Sequence, residues 1–418
     1  MKQNGKRAWI ILTVVLAVLG IALVAVTVNA CRAYNNVLFI GGGERRAILE
    51  AAQAAGETGT RLTIFRSAYW LLLAGCALLG GCLACLARLN RVSEKCARTT
   101  RVLLTSYRPL VILVLVTAVF SCLHVRFFSV GNFTNILKQI SHYAILASGV
   151  YFAILLGGID ISVGSVLAFS GAMGAWIITN MPENPWSAAL AILAALAIGL
   201  GAGAANGFFV ARCGLQPMIV TLATMSIFRG ATLVLTNGAA ISLNRKLAGY
   251  DVFVGLGQNA VFDGYLPIPI IIMAVIYAIV YYLLNKTAFG RHMYAIGGNE
   301  EASLLSGINV GRVKILAYTA SGLMAAVAGV LVTARVASAT PTAGQSYEMD
   351  AIAAVVIGGT SLRGGEGKVL YTIIGALIIG MLNNILNLTN VSSYYQTIVK
   401  GFVILGAVLL DARSIKKT

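Results

Sequence analysis

Twelve apolar stretches, most of them near 20 residues long, occupy positions 9–29, 68–87, 109–124, 140–157, 163–180, 187–211, 217–236, 267–284, 315–334, 350–360, 369–389 and 394–411. A bilayer core about 30 Å thick takes about 20 apolar residues in a helix, because no water is present there to satisfy the backbone. The pattern dictates an all-α polytopic membrane protein. Composition agrees, with 58% hydrophobic and 11% charged residues against about 25% charged in soluble proteins. A water-soluble enzyme is excluded. The stretch at 350–360 is too short to cross alone, so it predicts a broken or packed helix buried by its neighbours rather than facing lipid.

Lys and Arg number 31 against 14 Asp and Glu, a net charge of +17. The basic residues lie in short gaps between apolar runs and form no basic domain, so the excess reports topology and not nucleic-acid binding. With the N-terminus inside, nineteen basic residues fall on the cytoplasmic side and ten outside, while Arg229 and Lys400 lie within helices. Both termini are expected in the cytoplasm. Lys2, Lys6 and Arg7 precede the first apolar run as in a signal sequence, and Val28-Asn29-Ala30-Cys31 is a poor echo of a lipoprotein cleavage site. An uncleaved signal anchor is expected. Six basic residues from Arg88 to Arg108 then separate a two-helix extension (1–105) from a ten-helix body (106–412), followed by a cytoplasmic tail (413–418). Six of the seven Cys precede residue 123, giving neither a disulfide framework nor a zinc spacing.

Several chemistries are missing. The segment GGTSLRGGEGKV at 358–369 comes nearest to a phosphate loop, yet Val369 stands where a magnesium-binding hydroxyl belongs and the spacing before Lys368 is wrong. His124, His142 and His292 lie far apart, with no metalloprotease or nucleophile-elbow motif. No catalytic, metal or cofactor site is expected. Ionisable groups in membrane helices mark pathways or packed polar contacts; here they are Asp160, Arg229, Glu348, Asp350 and Lys400. In GGIDISVGS (157–165), Asp160 and Ser162 either cap the helix beginning near Val163 or belong to a translocation path. Arg229 either snorkels or lines that path. Glu348 and Asp350 suit the N-terminus of the short 350–360 helix. Asn383, Asn384, Asn387, Tyr394, Tyr395 and Gln396 either bond across helices or line a polar passage suited to sugar hydroxyls. The small residues of AIGLGAGAANG (197–207) read as a tight packing face.

The segment 285–314 is more than a connector. Asn299 ahead of Glu300 and Glu301, apolar Leu304, Leu305 and Ile308, and Gly307 near the end describe a short capped amphipathic helix at the membrane surface. Its apolar face needs a protein partner or rests on lipid headgroups.

Four segments carry a family resemblance: GGIDISVGS (157–165), GGNEEASLLSGINV (297–310), PTAGQSYEMDAIAAVVIGGTSLRGGEGKV (341–369) and SSYYQTIVKGFVILGAVLLD (392–411). Together they resemble the monosaccharide permeases of bacterial ATP-binding-cassette importers over about 105–412, while the first hundred residues have no counterpart in that ten-helix pattern. The resemblance implies a non-catalytic inner-membrane subunit that works as a homodimer with a cytoplasmic ATPase and a periplasmic sugar-binding protein. It implies a pentose substrate, ribose first, with allose, xylose, galactose and a signalling furanose open. It makes Gly297, Gly298, Asn299, Glu300, Ala302, Leu305, Gly307 and Ile308 the ATPase-coupling segment. Candidate path residues are Asp160, Ser162, Asn383, Asn384, Tyr394 and Gln396. The rival class, an ion-coupled secondary sugar transporter, predicts an internal repeat between halves, and none is found.

Overall fold

The computed structural model describes residues 108–123, 127, 129–261 and 266–415. The apolar stretches at 9–29 and 68–87, the linker joining them to the body, the boundary near 105 and residues 416–418 lie outside the described residues. Among the described residues there are thirteen helices: α1 (Arg108–Leu123), α2 (Val130–Leu155), α3 (Val163–Asn180), α4 (Ser187–Arg212), α5 (Pro217–Thr236), α6 (Tyr250–Gln258), α7 (Ile268–Lys286), α8 (Ala288–Gly298), α9 (Glu300–Leu305), α10 (Val310–Val336), α11 (Tyr347–Ile357), α12 (Val369–Leu388) and α13 (Ser393–Ile415). Six of them, α3, α4, α5, α7, α10 and α12, are long and apolar enough to cross a membrane. The fold is all-α. Four two-residue strands make two antiparallel clips: β1 (Ile241–Ser242) pairs with β4 (Ser338–Ala339), and β2 (Ala260–Val261) with β3 (Leu266–Pro267).

All ten body stretches appear as helices. The largest differences are at two N-termini. Helix α2 begins at Val130 rather than 140, because its first turns carry Asn132, Asn135, Lys138 and Gln139, which hide a helix from a hydropathy count. Helix α10 begins at Val310 rather than 315, where the Asn309 side chain accepts from Arg312 N at 3.1 Å. The short stretch behaves as its length requires: α11 is buried from Asp350 through Val356.

The chain divides into two compact units. The described part of the first comprises residues 108–123, 127, 129–133 and 381–392. Within it Phe120 meets Phe127 edge-on at 6.0 Å, Thr117 Oγ1 lies 3.6 Å from Met381 Sδ, and Asn132 and Asn384 exchange amide hydrogen bonds of 3.0 and 2.8 Å.

The second unit, residues 134–380 and 393–415, is organised around α10, which packs most extensively on α4, then on α3 and α6. Lipid tails are as apolar as leucine, so helices in a membrane associate through close packing rather than hydrophobic expulsion. The α4 face shows how. Gly199, Gly203 and Gly207 recur every four residues, and a methyl group on each would strike the α10 backbone at Gly322, Tyr318 and Ile315 respectively. A second core gathers Ala172, Ile178, Ala191, Phe253 and Val330 from α3, α4, α6 and α10.

Candidate functional site

The segment after α7 folds as two helices, α8 and α9. The N-cap expected of Asn299 is made: its Oδ1 accepts from Ala302 N at 2.9 Å. The far end closes with two backbone bonds, Gly307 N to Leu304 O at 3.0 Å and Ile308 N to Ser303 O at 3.1 Å, around a left-handed Gly307 at φ 80°. Six residues are too few to hold a helix by propensity; these caps hold it. Glu300 adds a brace, since Lys314 of α10 donates to its Oε1 and Oε2 at 2.6 and 2.8 Å. Ser303 faces inward and is buried, whereas Leu304 is 64% and Leu305 90% exposed. Alongside runs a groove of about 490 Å³ bordered by Phe289, His292, Ile308, Arg312 and Leu316.

Asp160 lies in the α2–α3 linker and is 1% exposed. Its Oδ1 accepts from Ser162 N at 3.0 Å and Ser162 Oγ at 2.6 Å, and its Oδ2 accepts from Ser321 Oγ of α10 at 2.7 Å. The Ser162 hydroxyl accepts in turn from Asn206 Nδ2 of α4 at 3.0 Å, and Asn206 Oδ1 accepts from Thr224 Oγ1 of α5 at 2.6 Å. This hydrogen-bonded chain joins the linker to α4, α5 and α10. The capping role expected at Ser162 is not made, because its hydroxyl goes to Asp160 and not to the turn that follows. Burying a carboxylate without donors costs several kcal/mol; three donors converge on this one.

Arg229 does not stand alone. Its Nη1 donates to the carbonyls of Pro341 and Ala343 at 2.9 and 2.8 Å, holding the segment before α11. Three residues beyond Ala343, Ser346 adopts a left-handed conformation at φ 66°. Glu348 and Asp350 occupy the first turn of α11, as the helix dipole favours. Asp350 is paired with Lys400 of α13 at 2.8 Å. An aromatic cluster unmarked in the sequence lies nearby in the chain: His142 and Tyr143 of α2 sit 5.9 and 4.9 Å from the ring of Tyr347.

The polar residues of the last helices separate. Asn383 and Asn384 are buried, Tyr394 is 86% exposed, and Gln396 is half-buried. Among the described residues no cluster of His, Cys, Asp and Glu is placed to hold a metal ion. Sequence reading missed Asn206, Thr224 and Ser321. The one available signal was an amide inside the otherwise small and apolar run 197–207.

Residues 132–408 match the family described as branched-chain amino acid transport system / permease component. The ribose import permease protein RbsC of Haemophilus influenzae is 48% identical over 308 residues, covering 74% of this chain and 93% of the relative. The Bacillus subtilis protein of the same name is 47% identical over 305 residues, covering 73% and 92%. The D-allose transport system permease protein AlsC of Escherichia coli is 37% identical over 324 residues, covering 77% and 96%. No solved structure matches.

Proposed function

The chain belongs to the family of branched-chain amino acid transport system permease components, and from that premise we propose that it is the membrane subunit of an ATP-binding-cassette importer carrying ribose into the cell. It is a multi-pass inner-membrane transport subunit. The observation that carries the mechanism is α9: a helix fixed at both ends and braced to α10, yet with Leu305 left 90% exposed. A rigid, unpartnered apolar knob of this kind suits a groove on a second protein. In this reading a cytoplasmic ATPase receives Gly297–Ile308, with Leu305 as the inserted side chain and Asn299 and Gly307 setting the angle. ATP-driven closure of the ATPases pulls on α9 and biases the permease between inward- and outward-facing states. The chain itself catalyses nothing.

The remaining parts follow from the same reading. Two permease copies form the passage, a periplasmic binding protein delivers the sugar, and both termini lie in the cytoplasm. Asp160, Ser162, Asn383, Asn384, Tyr394 and Gln396 are the residues proposed for the sugar path. Residues 106–412 are the permease domain and 1–105 an added two-helix membrane extension. The matched relatives support that division, since alignments covering 92–96% of their length take up only 73–77% of this chain.

The test is purification in detergent with the ATPase and binding protein, then uptake of radiolabelled ribose in proteoliposomes. Uptake should need both ATP and the binding protein, and Leu305→Glu or Glu300→Arg should abolish it while the permease stays in the membrane. Sugar movement by the chain alone down an ion gradient would replace this reading with a secondary transporter.

A further inference from the structure

Three backbone segments meet beside the docking helix with no side chain between them. They are residues 155–158 at the end of α2, residues 297–298 at the C-terminal end of α8, one residue before α9, and residues 363–367 of the loop joining α11 to α12. Gly365 N donates to Leu155 O at 2.9 Å. A methyl group on Gly365 would lie 2.7 Å from Gly298 N, and one on Gly364 would lie 2.7 Å from Gly157 N. Gly365 is left-handed at φ 74°, so only glycine meets both the conformation and the space without strain.

Two hydroxyls fasten this junction from the side. Tyr294 of α8 donates to Gly367 O at 3.0 Å, which uses its one proton, so the 3.0 Å bond between the Tyr151 and Tyr294 hydroxyls has Tyr151 as donor. The relay runs from α2 through α8 into the 363–367 loop. Two residues beyond the junction stands Asp160, with its bonds to Ser162 and to Ser321 of α10.

The glycine-rich 358–368 segment is therefore no nucleotide loop. Resting on the importer reading above, we propose that residues 363–367 are a coupling element and that Tyr294 and Tyr151 are positioning residues for it. Without them Gly297 and Gly298 would be a free hinge, and a displacement of α9 would be absorbed as bending. With the loop clamped on, the displacement reaches the linker that carries Asp160. The contacts are contiguous from α9 to the Asp160 linker, and packed, hydrogen-bonded networks of this kind are what carry coupling over a distance.

The experiment uses the full complex in proteoliposomes, with ATP hydrolysis and ribose uptake read from the same preparation. Tyr294→Phe keeps the ring and removes the relay. It should lower sugar moved per ATP by roughly 2- to 30-fold, the span that network positions typically command, with hydrolysis and complex yield near wild type. Tyr151→Phe should do the same, and the double variant should be no worse than either single. Gly365→Ala should be more severe, but a failure of that variant to assemble leaves the tyrosine result decisive. Unchanged sugar per ATP in Tyr294→Phe overturns the proposal, and so does a parallel fall of uptake, hydrolysis and yield, which marks a merely structural residue. If the wild-type complex shows no ATP-dependent uptake, the importer reading itself fails and takes this one with it.

Discussion

Lys400 Nζ lies 2.8 Å from Asp350 Oδ2, joining α13 to a helix that begins more than forty residues earlier in the chain. The carboxylate is 1% exposed and the lysine side chain 19%, so the charge at greater risk is the acid. Removing one member of a buried pair strands the other and typically costs about 3–5 kcal/mol. Lys400→Met should therefore lower stability strongly, and adding Asp350→Asn should recover much of the loss. Unfolding in detergent across the double-mutant cycle checks this; strict additivity would mean the pair contributes no coupling.

A second pair predicts a different asymmetry. Asn132 and Asn384 exchange two amide bonds, and Asn132 Nδ2 also reaches Phe127 O at 2.9 Å. Asn384→Leu leaves a buried amide half-satisfied, at a cost of about 1–3 kcal/mol. Asn384→Asp should be worse, because a carboxylate oxygen would face Asn132 Oδ1 where an N–H now donates. A stability order of wild type, Leu, then Asp is the expected outcome, and Asp equal to wild type would contradict the bonding pattern.

Element type was legible wherever one physical rule dominated. Apolar runs marked ten stretches of the body that are all helical, six of them long enough to cross a membrane, and the shortness of 350–360 announced a buried α11. The Asn299 cap was legible because capping is local: the side chain and its target are three residues apart. Partners distant in sequence were not. Nothing in the spacing of Asp160, Asn206, Thr224 and Ser321 says that four segments converge, because the period of each helix describes its own faces and not its neighbours. The Asp350–Lys400 pair failed to appear for the same reason. Gly364 and Gly365 of GGTSLRGGEGKV looked like part of a defective phosphate loop, whereas their close backbone contacts with Gly157 and Gly298 show what glycine does there.

Arg229 offers a test of the segment before α11. One nitrogen holds two carbonyls, so the need is for a cation with donors at that point and not for the guanidinium fork. Arg229→Lys should keep most of the restraint, and Arg229→Met should lose it. Hydrogen exchange of residues 340–347 should rise at least about tenfold in the Met variant, which corresponds to loss of about 1.4 kcal/mol in local opening. Equal protection in all three proteins would show that the segment is held by other contacts.

Gly307 closes α9, the helix proposed to dock the ATPase, and lets its conformation be separated from its surface. At φ 80°, with no atom near where a side chain would begin, substitution meets no clash, so its cost is conformational alone. An L residue in that region loses about 1–2 kcal/mol, and Asn loses least because it tolerates the left-handed state. Gly307→Ala should therefore fray α9 and weaken ATPase capture several-fold, while Gly307→Asn should retain most of it. Neither should alter the folding of the membrane body, since a Cβ at 307 meets no other atom within 4 Å. The readout is the amount of ATPase that co-purifies at limiting concentration, alongside thermal unfolding of the permease. Equal capture by Ala and wild type would mean that the Leu304–Leu305 knob is held in place without the left-handed cap.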